Sequence, residues 1–351
     1  MEIWKLRYFR IGCGVLAVLW LLRGCLELAR THYSYVPRAV IIISEPWASP
    51  DAAAKDGCVW VSPTIQGHFA VTSLTILDLQ RAGLNVLYNP TCWWKSDKTN
   101  VVILTNAEIE GNVAVNLKKS GRAGIVLAGP NLDFTTAKGG ENFDAVDGWI
   151  MPSQGVSDNS QMYRRQEPSR SLVWPVGVDE DRWTPSRPRR EKNGSYCIIY
   201  LKTKPPPLLL ANVVAVVEQQ GLSVRNITYS SYTAEEYLKA LRGAYVMIVF
   251  SVSESQGVFL AEAWSTNVPT YVYAGNSWQH SWNGKLWLSS PSPYLSPLTG
   301  AFFNNEEQLL TLLKYDAQFR PREWLLKHQS SRVIGKMMRE SMEVLLRNRQ
   351  A

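Results

Sequence analysis

Two runs of alternating strand and helix patterns, split by a stretch rich in proline, arginine and glycine, constrain this chain more than anything else in it. The first run begins at "RAVIIISE" (38–45), a compact β-branched segment that reads as a buried strand. "SPTIQGHFAVTSLTILDLQRAG" (62–83) reads as a glycine-containing loop and a helix, with Val71, Leu74, Leu77 and Leu79 mostly on one face and Gly83 as its stop. "LNVLYN", "NVVILTN", "AGIVLAGPN" and "FDAVDGWIMPS" read as further strands, with a helix around 107–119. The break is "WPVGVDEDRWTPSRPRREKNGS" (174–195). Beyond it, "YCIIYLKTK", "LSVRNITY", "YVMIVFS" and "PTYVYAG" read as strands. The helices between them are "PPPLLLANVVAVVEQQG", whose prolines fit a first turn, "TAEEYLKALRGA", which Thr233 can cap with Glu236, and "VFLAEAWSTN". Two or three helical patterns follow from about residue 305, the last of them amphipathic. Alternation of this kind builds mostly parallel sheets, so the expected class is α/β with two Rossmann-like domains facing across a cleft. Ligands bind such sheets at the C-terminal ends of their strands.

A length of 351 residues suits two domains, and 46% hydrophobic with 19% charged residues argues against a disordered chain. The five cysteines, Cys13, Cys25, Cys58, Cys92 and Cys197, form no CxxC pair, and there are four histidines. This argues against a structural zinc site and a disulfide framework. The formal charge of +7 suits an anionic ligand or surface, but no lysine-arginine block is dense enough to argue for nucleic acid. At the N-terminus, Lys5, Arg7 and Arg10 precede a charge-free run over residues 11–22, and Arg23 follows. Twelve residues are short for a full span, and no clear cleavage site follows. The expectation is a membrane-associated, uncleaved single-pass anchor, with a cleaved signal and an ordinary buried helix as the alternatives.

The candidate chemistry lies in "FSVSESQGVFLAEAW" (250–264). The strand ends near Ser251 and the next helix begins near Val258, with Gly257 at the turn. A helix N-terminus offers unpaired amides and partial positive charge, which fits a diphosphate. Glu254 lies on the loop at the strand end, facing the cleft, and Glu262 about one turn into the helix, where a carboxylate can accept from vicinal hydroxyls such as those of a ribose. The bland alternative is two solvated glutamates stabilising a helix start.

"SVSESQGVFLAEAWSTNVPT" resembles the E-x7-E signature of retaining GT-B glycosyltransferases of the family-4 kind. "VGVDEDRWTP" (176–185) resembles the end of that family's first domain, and "YSSYTAEEYLKALRGAYVMIVFS" (229–251) the lead into its motif. "TIQGHFAVTSLTILDLQRAG" (64–83) resembles its first-domain glycine loop and helix, so the likeness covers most of residues 38–320. With the anchor or signal-like segment and its connector read over 1–35, the resemblance implies an acceptor domain over 36–176, a linker over 177–194 and a nucleotide-sugar domain over 195–320. Residues 321–351 would be C-terminal helices crossing back to the first domain.

The resemblance also implies the roles. Glu254 would be the catalytic carboxylate at the donor sugar and Glu262 the ribose acceptor. The main chain at Ser255, Gln256, Gly257 and Val258 would face sugar and phosphates, and Lys202 and Lys204 would grip the diphosphate. Gly67 and His68 would stand on the acceptor side. The donor would be a nucleotide-diphosphate sugar, the acceptor a glycan or lipid hydroxyl, and no metal or other cofactor would be needed. Two departures bear on this: Ser255-Gln256-Gly257 replaces the usual Gly-aromatic-Gly, and the Gly-Arg before the basic pair is missing. They keep open a catalytically silent GT-B binding or scaffold subunit, beside a GT-B nucleotide-sugar epimerase.

Overall fold

The structure is a computed structural model. It describes residues 37, 39–43, 68–88, 101–105, 123–130, 146–164, 170–186, 192, 194–275, 279–282, 285–288, 290–314 and 318–350.

The first half comprises β1 (Ala39–Ile43), α1 (His68–Arg81), β2 (Val86–Tyr88), β3 (Val101–Thr105), β4 (Ile125–Ala128), β5 (Gly148–Met151), α2 (Gln154–Arg164) and β6 (Ser171–Val173). Its six strands form one sheet in the order β2-β1-β3-β4-β5-β6, and every pairing is parallel. β4 and β5 are buried at every position, as expected of central strands in a sheet covered on both faces.

The second half comprises β7 (Tyr196–Leu201), α3 (Pro207–Gln219), β8 (Ser223–Thr228), α4 (Ala234–Gly243), β9 (Ala244–Phe250), α5 (Val258–Ser265) and β10 (Thr270–Tyr273). The hairpin β11 (Gln279–Trp282) and β12 (Lys285–Leu288) follows, then β13 (Gly300–Phe303), α6 (Glu306–Lys314), α7 (Pro321–His328) and α8 (Ser331–Gln350). The main sheet runs β13-β10-β9-β7-β8, again all parallel. Local chemistry starts its helices. Prolines occupy the first turn of α3, where an amide would lack a partner in any case. At α4, Thr233 Oγ1 accepts from the Glu236 amide at 3.2 Å, and Glu236 Oε2 accepts from the Thr233 amide at 2.7 Å.

Two features join the halves. α8 packs along α1, and its Ile334, Met338, Met342 and Leu346 share a core with Leu79, Val40 and Ile42. The approach is close: a Cβ on Gly335 would lie 1.9 Å from the Asp78 carbonyl oxygen. The second feature is the strap over residues 174–183. Trp174 belongs to the first core, while Val178 and Trp183 belong to the second.

Charge fixes the strap in place. Arg81 on α1 donates to Asp179 and Glu180, both at 2.7 Å, and to Asp181 at 2.8 Å. Arg332 on α8 pairs with Glu180 and, at 2.7 Å, with Asp181. Arg322 on α7 donates to the carbonyls of Trp183 at 3.1 Å and Ser265. Buried acids of this kind are stable only when paired and hydrogen-bonded, and Glu180 also accepts from the Ser331 amide at 3.0 Å.

The expected membrane-associated helix is corrected. No helix among the described residues is long and apolar enough to cross a membrane. Residues 11–22, on which the expectation rested, lie outside the described residues, and twelve residues at helical rise span roughly 18 Å of a roughly 30 Å hydrocarbon core. The anchor, the membrane as a partner and the membrane location are withdrawn together. The helix read around 107–119 also lies outside the described residues.

Gly335→Ala should force α8 away from α1 and destabilise the chain by about 2 kcal/mol. Urea unfolding would show this as a lower midpoint; an unchanged midpoint would mean that the helix contact is looser than described.

Candidate active site

The strand register sets the site. Thr228, Leu201 and Phe250 lie side by side at the C-terminal ends of β8, β7 and β9. The residues that follow therefore leave the sheet together, and the Lys202 and Thr203 amides both donate to the Phe250 carbonyl at 3.0 Å. This brings Lys202 to Glu254, where Nζ donates to Oε2 at 2.7 Å. Ser251 Oγ donates to Glu254 Oε1 at 2.7 Å, and the Glu254 amide donates to the Ser290 carbonyl at 3.0 Å. Glu254 is only 5% exposed. Burial raises its pKa above the ordinary carboxylate value, and Lys202 and Ser251 oppose the shift. The Lys202 ammonium also lies 5.0 Å from the centre of the Tyr229 ring.

Gly257 caps α5 in the left-handed region, at φ +69°. The conformation favours glycine, and a Cβ there would also come 2.8 Å from Leu260 Cδ1. Its carbonyl accepts from Leu260 at 3.0 Å and Ala261 at 3.3 Å, which starts the helix and directs its positive end at the loop. Glu262 lines the same cavity from α5. Burial raises its pKa to about 8, with Arg182 opposing. Beneath them lies an aromatic floor. Tyr200 stacks on Phe259 with ring centroids 4.2 Å apart, the Tyr200 and Tyr232 hydroxyls are 2.6 Å apart, and Tyr237 donates to the Phe259 carbonyl at 2.9 Å.

These groups surround a cavity of about 400 Å³. Its second-half wall includes Lys202, Glu254, Ser255, Gln256, Gly257, Val258 and Glu262, and its first-half wall is Ala70 and Val71 on α1. Among the predicted residues, Ser255 is exposed, Val258 is half-buried, and Gln256 is buried. The Gln256 side chain narrows the loop less than its size suggests, because Oε1 accepts from the Val176 amide of the strap at 3.0 Å. Lys204 is exposed and is not among the residues lining the cavity. His68 is the first residue of α1, two positions before Ala70, and Gly67 lies outside the described residues. Tyr229, Tyr232 and Trp183 line the cavity without having been singled out in the sequence. The available signal for the tyrosines was "TYSSYT", aromatics directly after a strand whose neighbour is followed by Lys202. Among the described residues, no group of three or more histidines, cysteines or acids could hold a metal ion.

No protein-family model and no curated protein matches the sequence. Solved structures do resemble the fold. Sucrose-phosphate synthase from Thermosynechococcus elongatus aligns with a TM-score of 0.56 at 12% identity, covering 89% of this chain and 100% of that one. The lipopolysaccharide outer core galactosyltransferase WaaB, in its apo form, aligns with a TM-score of 0.55 at 12% identity, covering 88% and 99%. HepE from Anabaena, in complex with UDP, aligns with a TM-score of 0.55 at 8% identity, covering 87% and 100%. At such identities the likeness establishes the fold: two Rossmann-like α/β domains in the GT-B arrangement.

The Glu262 carboxyl carries a testable sign. Its folded pKa of about 8 lies above the ordinary 4.5, so its ionisation opposes folding increasingly as pH rises from about 4.5 to about 8. Glu262→Gln should therefore gain stability over the parent protein across that window, with little gain below it. Urea midpoints at pH 5 and pH 8 would check this; a difference that shrinks with rising pH would contradict the assigned burial.

Proposed function

We propose that this chain is a retaining glycosyltransferase that moves a sugar from a nucleoside-diphosphate donor to an acceptor hydroxyl. The observation that carries the reading is the convergence of Lys202, Glu254, Glu262 and the start of α5 on one cavity, with α1 closing the opposite wall. The GT-B fold supports it by likeness to the galactosyltransferase WaaB and to sucrose-phosphate synthase.

In this reading the α5 amides and Lys202 receive the diphosphate. Glu262 accepts from the two ribose hydroxyls, and the tyrosines of the 229–232 turn flank the nucleoside. A diphosphate competes with Glu254 for the Lys202 ammonium, and Glu254 then turns its free oxygen to the hydroxyls of the donor sugar. As the bond between the anomeric carbon and the diphosphate oxygen breaks, its electron pair stays on the phosphate, where Lys202 and the helix terminus stabilise it. The acceptor oxygen bonds to the same carbon, and its proton passes to the departing phosphate. Retention, the donor-sugar role of Glu254 and the ribose role of Glu262 come from the sequence resemblance; the cavity is consistent with them.

A catalytically silent binder is the second reading. The observation that favours it is the engagement of both Glu254 oxygens, one by Lys202 and one by Ser251.

A panel of nucleoside-diphosphate sugars offered to the full chain separates the two. One donor should be turned over, with Lys202→Met and Glu254→Gln each lowering kcat about 100-fold. Glu262→Ala should raise KM about tenfold, because it removes contacts shared by ground and transition states. Product anomeric configuration, read by proton NMR, should match the donor. Binding without turnover of any donor would select the silent binder, and neither binding nor turnover would contradict both.

A further inference from the structure

Gln256 stands between the two groups that the proposed chemistry needs, Glu254 and Gly257, yet its side-chain oxygen is committed to the strap. Oε1 accepts from the Val176 amide at 3.0 Å, between residues 80 positions apart, and the side chain is only 5% exposed. The next strap amide points to the other half: Gly177 N donates to Asp78 Oδ2 of α1 at 2.7 Å. The fit around Gly177 leaves no room for slippage, since a Cβ there would lie 2.5 Å from Ser331 Cα and 2.6 Å from Asp78 Oδ1. The Val176 carbonyl in turn accepts from Gln329 Nε2 at 3.5 Å. Consecutive amides of one extended segment thus hold the glutamate loop of one half and α1 of the other. α1 also carries Ala70 and Val71, the first-half wall of the cavity, roughly 11–12 Å along the helix from Asp78.

We propose that Gln256 is a positioning residue that couples the 254–257 loop, through Val176 and Gly177, to the helix forming the opposite wall of the cleft. When α1 moves relative to the second half, the strap moves with it, and Gln256 carries that displacement into the loop between Glu254 and Gly257. A phenylalanine or tryptophan side chain at this position has no oxygen with which to receive the Val176 amide. The consequence for turnover rests on the glycosyl-transfer reading; the mechanical coupling does not.

The test compares Gln256→Met, which keeps length and volume but loses the strong acceptor, with Gln256→Glu, which keeps an acceptor oxygen at the same reach. Thermal unfolding first establishes that both variants fold. In the ligand-free full chain, amide hydrogen exchange at Val176 and at the start of α5 should be about tenfold faster in Gln256→Met and close to the parent in Gln256→Glu. With a donor that is turned over, Gln256→Met should lower kcat about tenfold while leaving the donor KM nearly unchanged, and should raise donor hydrolysis relative to transfer. Rescue by Gln256→Glu supports the coupling, because a residue that merely fills space would not be rescued. Unchanged exchange at Val176, or equal impairment of both variants, overturns the coupling whatever the activity. Faster exchange in Gln256→Met, restored in Gln256→Glu, in a chain that turns over no donor upholds the coupling and overturns the glycosyl-transfer reading.

Discussion

The seam where residues 176–181 meet both halves sets the geometry of everything else. Three consecutive acids, Asp179, Glu180 and Asp181, face Arg81 on α1 and Arg332 on α8, and Glu180 is nearly inaccessible. Coulomb attraction alone does not repay the burial of such a charge. The Ser331 amide supplies the additional hydrogen bond, and two arginines share the carboxylate. Because the arginines come from different elements, the acids fix α1, α8 and the strap at one point. The helix that carries Arg81 also carries Ala70 and Val71, the first-half wall of the cavity.

The cleft itself is costly. Glu254 and Glu262 both sit where burial raises their pKa, and Glu262 is opposed chiefly by the charge of Arg182. A sequence optimised for stability alone would not place carboxylates there. In the proposed function, a ligand rich in hydroxyl groups, with an anionic part for Lys202, would offset that cost. The aromatic floor of Tyr200, Phe259 and Tyr237 supports the loop, since Tyr200 stacks on Phe259 and both tyrosine hydroxyls are hydrogen-bonded.

Much of this architecture was legible because it rests on local rules. The short apolar runs of β1, β7 and β9, five to seven residues long, read as buried strands. The capping box at Thr233, the prolines opening α3 and the Gly257 turn each declared a helix start. What stayed hidden depends on distance along the chain. The strap read as a linker because its partners lie about 100 and 150 positions away, in Arg81 and Arg332. β6 is three residues long and the β11 and β12 strands four each, too short for alternation to stand out in the sequence. Lys202 and Lys204 looked equivalent, yet the bend after β7 brings one onto Glu254 and leaves the other exposed. The reach of Gln256 to Val176 likewise required the fold.

Whether the cleft takes a nucleoside diphosphate is read most directly by phosphorus NMR of nucleoside diphosphates titrated with the full chain. One of them should show a displaced and broadened β-phosphorus resonance, saturating at one equivalent, and the perturbation should disappear when Lys202 is replaced by methionine. A panel in which no diphosphate is perturbed, or in which the methionine variant perturbs it equally, would contradict the assignment of this cleft as a donor site.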